Sequence, residues 1–347
     1  MKHKLLYLAL CDVTKKNIAP PIRMNSMRIG FENILHDRFL CISGSSHKRA
    51  KSVRNLIFSA NIKQYTHLYI ESSNKGLNFW DLILLFYMKE RKIPISIFIR
   101  DILPFYKSGW EFTNYKGKIA NILWLLSFYL FKITARILYF PAKGMSENIN
   151  FKKKRLLPPG INTGRKINKN HLKNSIFYAG GLKSAYDISP FLKACKELYK
   201  EIDISVIIYC RENERNFIEQ WESEIWLEIK HSDLDELEFH PAVGIVPLKS
   251  IHSNLTIAVK FMDYLSLAIP VVVSGSKATE LIVKKENIGL IAETGNWKSY
   301  YNKIKEMLTN EKLYNEFQKN ILGIRNNYDY SWESRCQKVL NDFRFEK

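Results

Sequence analysis

A chain of 347 residues, 46% apolar and with a formal charge of +19, suits two domains of ~150–200 residues and is too apolar for an unfolded polymer. Its five cysteines, Cys11, Cys41, Cys195, Cys210 and Cys336, show no CxxC or other ligand spacing. This argues against a disulfide scaffold or a zinc module and for a reducing cytoplasm. The charge is lopsided: residues 1–160 hold 27 lysines and arginines against 9 acidic side chains, residues 161–347 hold 26 against 25.

In chain order, the first half alternates short apolar runs with helical patterns, the mark of βαβ units and a parallel sheet. Residues 5–10, 39–42, 67–70, 95–99 and 137–140 read as strands, and residues 77–90 and 119–136 as helices. The run 5–10 is too short for the apolar core of a signal peptide and reads as the first core strand. Residues 119–131, bounded by Lys118 and Lys132, fall short of the ~20 that span a bilayer, so a buried helix is expected there. Pro158-Pro159-Gly160 breaks regular structure, and the polar stretch 162–174 reads as a linker.

The second half repeats the alternation. Strands are expected at 175–179, 204–209, 242–247, 271–274 and 289–292, with helices at about 188–201, 214–229, 259–267 and 297–308. Val271, Val272 and Val273 make the continuous apolar run of a strand covered on both faces. A C-terminal helical stretch, 311–343, breaks near 326–330.

The chemistry-bearing residues cluster where strands end. Lys260 and Asp263 share a helical face, so the lysine could meet a phosphate while the carboxylate accepts hydrogen bonds from ribose. Placed near the helix start, Asp263 would also be favoured by the macrodipole. Ser274 and Gly275 after the valine strand could wall a diphosphate. Gly180 and Gly181 after IFYA would let a phosphate approach backbone amides, with Lys183 and Arg211 as nearby cations. Each has a plainer reading as a turn residue or a solvated charge. Asp233-Leu234-Asp235 is a surface acidic stretch rather than a metal site. The histidines lack zinc spacing, and no P-loop, dinucleotide fingerprint or nucleophile elbow occurs, so no cofactor or metal is expected.

The run Lys260-Phe261-Met262-Asp263-Tyr264-Leu265-Ser266-Leu267-Ala268-Ile269-Pro270-Val271-Val272 resembles the nucleotide-binding signature of retaining GT-B glycosyltransferases of the family-4 type. Four more stretches resemble that family in the same order: Ile99-Arg100-Asp101-Ile102-Leu103-Pro104, Arg155-Leu156-Leu157-Pro158-Pro159-Gly160-Ile161, IFYAGGL at 176–182, and Tyr330-Ser331-Trp332-Glu333. The resemblance implies an α/β fold of two Rossmann-like domains facing a cleft. These would be an acceptor domain at 1–160, a linker at 161–174, a nucleotide-sugar domain at 175–327, and a helix at 328–347 crossing back to the first domain. It also implies Asp101 close to the acceptor hydroxyl or donor sugar, and sugar transfer to a glycan or lipid-linked acceptor in a surface polysaccharide such as an O-antigen or capsule. Departures stand beside it. Leu255 occupies the place of a usual glutamate, Gly181 and Tyr186 those of the usual diphosphate-clamping cations, and residues 12–23 replace a glycine-rich loop.

The basic first half draws anionic partners, and the resemblance makes an anionic membrane surface the expected one, on the cytoplasmic side. A nucleotide-sugar binder without catalysis is the alternative that the departures allow. A nucleic-acid binder is supported by charge alone, since no stacking platform of alternating basic and aromatic residues is present.

Overall fold

The structure, a computed structural model, describes residues 4–14, 19–73, 76–106, 114–182, 186–231, 234–249 and 255–345. The chain divides into two compact units, residues 1–159 with 332–347, and residues 160–331.

In unit 1 the described strands are β1 (Leu5–Ala9), β2 (Phe39–Ile42), β3 (His67–Glu71), β4 (Ile95–Phe98), β5 (Ile137–Phe140) and β6 (Lys154–Leu156). They form one parallel sheet in the order β2-β1-β3-β4-β5-β6. Helices α1 (Ala19–Leu35), α2 (Ser46–Ile57), α3 (Phe79–Glu90), α4 (Tyr115–Thr134) and α5 (Lys143–Glu147) connect the strands. The core is a tyrosine row: Tyr7 of β1, Tyr69 of β3 and Tyr139 of β5 are fully buried, with ring centres 5.5 and 6.2 Å apart. Phe31 of α1 closes over it. The terminal helix of the chain, Trp332–Phe345, belongs to this unit, because Trp332, Cys336 and Val339 pack into the same core and the Tyr139 hydroxyl donates to Asp342 at 2.7 Å.

Unit 2 carries β7 (His171–Ala179), β8 (Ser205–Tyr209), β9 (Leu227–Lys230), β10 (His240–Pro247), β11 (Val271–Ser274) and β12 (Gly289–Ile291), all parallel, in the order β12-β11-β10-β7-β8-β9. The helices after α5 are α6 (Ser189–Tyr199), α7 (Val259–Ser266), α8 (Lys277–Glu286), α9 (Trp297–Thr309), α10 (Glu311–Asn326) and the terminal α11 (Trp332–Phe345). The strand order reverses between β7 and β10. In such sheets that reversal opens a crevice beyond the carboxyl ends, where ligands bind.

Three expectations need correction. Residues 214–229 are not a helix: two 3-10 turns, Glu212–Phe217 and Glu219–Trp221, lead into edge strand β9, because Glu214 is drawn inward to bond a backbone amide. The supposed linker already contains the start of β7 at His171. Helix α4 is not buried all round. Trp124, Ser127, Phe128 and Phe131 face the body, while Tyr115, Ile119, Ile122, Leu126, Tyr129 and Ile133 are exposed.

Candidate active site

The second sheet's reversal point is built by α7. Phe261, Tyr264 and Leu265 bury one face of this helix. Tyr264 packs closely against Gly244 of β10, where a Cβ would stand 2.6 Å from its ring, and its hydroxyl accepts from the Ala179 amide at 2.8 Å. That bond ties the helix to the end of β7 and carries Lys260 to the mouth of the crevice.

Lys260 is 7% exposed, and its Nζ has no hydrogen-bond partner among the described residues. It sits between two rings, 3.7 Å from the centre of Tyr178 and 3.6 Å from that of Tyr186. Cation–π contacts of this kind are worth ~2 kcal/mol when desolvated, whereas burying an ammonium costs several kcal/mol. The rings do not close that gap. Burial therefore pushes the lysine well below its ordinary pKa, opposed by the carboxylate of Glu214.

Gly180 faces this ammonium. Its φ of +129° suits glycine, and a Cβ there would stand 2.9 Å from the Lys260 Nζ. A Cβ on Gly181 would stand 3.3 Å from Glu214, whose Oε2 accepts from the Leu182 amide at 2.6 Å and whose Oε1 accepts from Arg211 at 3.1 Å. An acid thus stands beside the place that the resemblance assigns to an arginine. Arg211 follows β8 as expected, but its guanidinium is committed to Glu214.

Asp263 sits in the second turn of an eight-residue helix, so the macrodipole argument for it fails. Its Oδ1 pairs with Arg165 at 3.2 Å. Arg165 lies in the stretch read as a linker. That stretch is laid against α7, where the Asn162 amide donates to Ser266 Oγ at 2.9 Å and Arg325 donates to the carbonyls of Thr163 and Arg165.

Ser274 does not offer its side chain to a ligand: it is buried and its Oγ bonds the Tyr300 hydroxyl at 2.5 Å. Gly275 is a steric necessity, since at φ +72° a Cβ would meet the Leu248 carbonyl oxygen at 1.8 Å. The neighbouring hydroxyl, Ser276 Oγ, accepts from the Thr279 amide to cap α8 and donates to the Thr256 carbonyl. Lys183 lies outside the described residues, as does Asp233 of the acidic stretch. Among the described residues no three His, Cys, Asp or Glu side chains gather as a metal site.

In unit 1, Asp101 follows β4 and uses Oδ1 to accept from the Leu103 amide at 2.8 Å, a local turn bond. The sequence reading passed over a deeper feature of this sheet. Glu71, at the end of β3, is fully buried and pairs with Arg23 of α1 at 3.4 Å, and the guanidinium stacks 3.7 Å from the centre of Phe98. The lone acid closing the apolar strand HLYIE was the available signal.

Residues 162–322 match the family model for Glycosyl transferases group 1. The matched stretch lies within unit 2, and the protein is a glycosyltransferase. Its two parallel α/β units have the GT-B fold. Among solved structures, Anabaena HepE in complex with UDP is similar over 99% of this chain and 100% of that one, with a TM-score of 0.70 and 10% identity. A glycosyltransferase from Rickettsia africae is similar over 99% of both chains, with a TM-score of 0.71 and 10% identity. Sucrose-phosphate synthase from Thermosynechococcus elongatus covers 99% of both chains, with a TM-score of 0.69 and 9% identity. At these identities the likeness is one of fold. A comparison with curated protein sequences finds no match.

Proposed function

We propose that this glycosyltransferase takes a sugar from a nucleotide-diphosphate donor held at the β7–β10 reversal and passes it, with retention, to a hydroxyl of a glycan or lipid-linked acceptor in building a cell-surface polysaccharide. The observation that carries this reading is Lys260, a buried ammonium without a hydrogen-bond partner among the described residues, facing a glycine that keeps the space before it open. A diphosphate would supply its missing counter-charge.

The leaving diphosphate gains negative charge as the glycosidic bond breaks, so a fixed cation and backbone amides stabilise the transition state more than the ground state. Lys260 and the Gly180–Gly181 turn fill that role; Arg211, paired with Glu214, and Lys183, three positions after Gly180 in the sequence, are the further cations of this proposal. Asp263, oriented by Arg165, accepts from the ribose. Gly275 brings the backbone of the valine strand's end to the diphosphate. In this reading Asp101 assists proton transfer from the acceptor hydroxyl. No metal is required by this scheme, so a chelator should leave turnover unchanged.

UDP is the nucleotide to test first, because similar folds were solved with UDP or UDP-glucose in Anabaena HepE and with UDP and GlcNAc in a pneumococcal O-GlcNAc transferase. The basic excess of residues 1–160 supports an acceptor presented at an anionic membrane on the cytoplasmic side. The test is a thermal-shift screen against UDP, GDP, CMP, dTDP and their sugars, followed by nucleoside diphosphate release with lipid-linked acceptors. A rise in Tm with one nucleotide that vanishes in Lys260→Met and Asp263→Ala supports the reading. No shift with any nucleotide and no release would sink it.

A further inference from the structure

Helix α4 has two apolar faces, and only one of them is used by the fold. Trp124, Phe128 and Phe131 pack inward, and the Leu77 amide bonds Ser127 Oγ at 2.9 Å, so the helix is seated on unit 1. On the other side Tyr115, Ile119, Ile122, Leu126, Tyr129 and Ile133 follow in steps of four, three, four, three and four. That spacing holds one face of an α-helix over its full length, ~27 Å at 1.5 Å per residue. These are not edges of core residues: Leu126 is 57% exposed, Ile133 59% and Tyr115 78%. A contiguous apolar stripe of this length marks a contact surface.

The charges around the stripe say what it contacts. At ~100° per residue, Lys116 and Lys118 fall about 80° to either side of the line through Leu126, and both are exposed. Lys132 lies further round the helix. No acidic residue occurs between Glu111 and Glu147. An apolar stripe with lysines at its margins is the pattern of a helix lying in a membrane interface, with its apolar face among acyl chains and its lysines at anionic head groups. Two tyrosines on the stripe suit the same boundary. The helix cannot span a bilayer, since no helix among the described residues is long and apolar enough. A second copy of the chain is a poor occupant, because it would bring two basic units face to face.

We infer that α4 is the membrane-docking surface of this protein, inserting its Tyr115–Ile133 stripe into the head-group region of an anionic bilayer. This deepens the reading of an acceptor presented at a membrane by naming the surface, and it does not depend on the donor's identity.

The experiment is co-sedimentation of the full chain with phosphatidylcholine vesicles with and without 30% phosphatidylglycerol, at 0.1 and 0.5 M NaCl. Wild type should bind the anionic vesicles at least tenfold better than the neutral ones. It should also keep part of its binding at 0.5 M salt, where charge alone is largely screened. Ile122→Glu with Leu126→Glu should lower the partition coefficient more than tenfold. Lys116→Gln and Lys118→Gln should each lower it about fivefold. All four positions are exposed, and an unchanged Tm establishes folding. Binding to neither vesicle, binding that the glutamate variant retains, or a wild-type dimer that the glutamate variant dissolves would each overturn the inference. A UDP thermal shift on the wild-type preparation separates the two proposals: a wild-type chain that shows the shift but binds neither vesicle counts against α4 alone, and one that binds anionic vesicles without the shift counts against the donor site alone.

Discussion

Each unit buries a cation near the reversal of its parallel sheet, and the two differ in what faces the charge. At the reversal of the first sheet Arg23 has the Glu71 carboxylate at 3.4 Å and Phe98 over its guanidinium, so an ion-pair partner and an aromatic face come from the chain, although its nitrogens make no hydrogen bond among the described residues. At the reversal of the second, Lys260 has two aromatic faces and no hydrogen-bonded acceptor among the described residues; Glu214, the acid closest in influence, spends its oxygens on Leu182 and Arg211. A cation buried with its partner is structure. A cation buried with no ion pair or hydrogen-bonded acceptor among the described residues is the feature on which the proposed donor site rests.

Breaking the comparison from the first unit should have the larger effect on stability. Glu71→Gln leaves Arg23 buried without a charge partner, and losing one member of a buried pair costs ~3–5 kcal/mol. The midpoint of urea unfolding should fall accordingly, while nucleotide binding to the folded fraction persists. A neutral result would mean that the stacking on Phe98 alone satisfies the guanidinium.

Lys260→Met should do the reverse. It removes a cation that the resting fold does not neutralise, so stability should rise by ~1 kcal/mol, as replacements of buried charges by apolar groups often do. Turnover should fall about 10²–10³-fold, the scale for deleting one preorganised donor to a developing anion. Steady-state kinetics beside a melting curve checks both signs at once. A variant both less stable and fully active would make the lysine a packing residue.

The same lysine sharpens the comparison through pH. Burial holds it well below its ordinary 10.5, so the folded chain binds fewer protons than the unfolded chain between that lowered value and 10.5. Stability therefore rises with pH across this window, and Lys260→Met should flatten the slope. A bound diphosphate favours the ammonium, so binding takes up a proton and affinity falls by at most about tenfold per pH unit above the lowered value. UDP-glucose is the probe, because its phosphates do not titrate near neutrality. Calorimetry in buffers of different ionisation heat should give up to one proton taken up. Zero in wild type at every pH across the window below 10.5 would place the lysine outside the contact.

Legibility differed between the two levels in a physical way. Strands such as β1 and β5 could be read because both faces are buried and the whole run is apolar. The edge strands β6 and β9, with sequences KRL and LEIK, have a solvated side and left no such run. In α4 the sequence is apolar nearly all round, so periodicity alone could not say which stripe meets protein. At the site, Lys260 and Asp263 were visible as a pair at helical spacing. The partners that define them, Glu214, Arg165 and Tyr178, are distant in sequence and were not. Tyr186 was noticed only as a missing cation, whereas its ring now lies on the ammonium of Lys260.

The smallest expected effect tests how the lysine's helix is held. Helix α7 ends in a turn where the Ala268 amide bonds the Leu265 carbonyl at 3.1 Å and the Ile269 amide the Tyr264 carbonyl at 2.9 Å, which forces Ala268 to φ +59°. Glycine would relieve about 1–2 kcal/mol of left-handed strain. It would lose about 0.5–1 kcal/mol through the freer unfolded chain. It would lose about 0.8 kcal/mol more with the methyl, because Ala268 is buried. These terms nearly cancel, so Ala268→Gly should leave the urea midpoint within about 0.5 kcal/mol of wild type and leave UDP binding unchanged. Ala268→Val, a β-branched residue in the same conformation, should cost about 2 kcal/mol or more. If glycine instead stabilised by well over 1 kcal/mol, the methyl would contribute no packing, and the turn would be a strained joint at the end of the helix that carries Lys260.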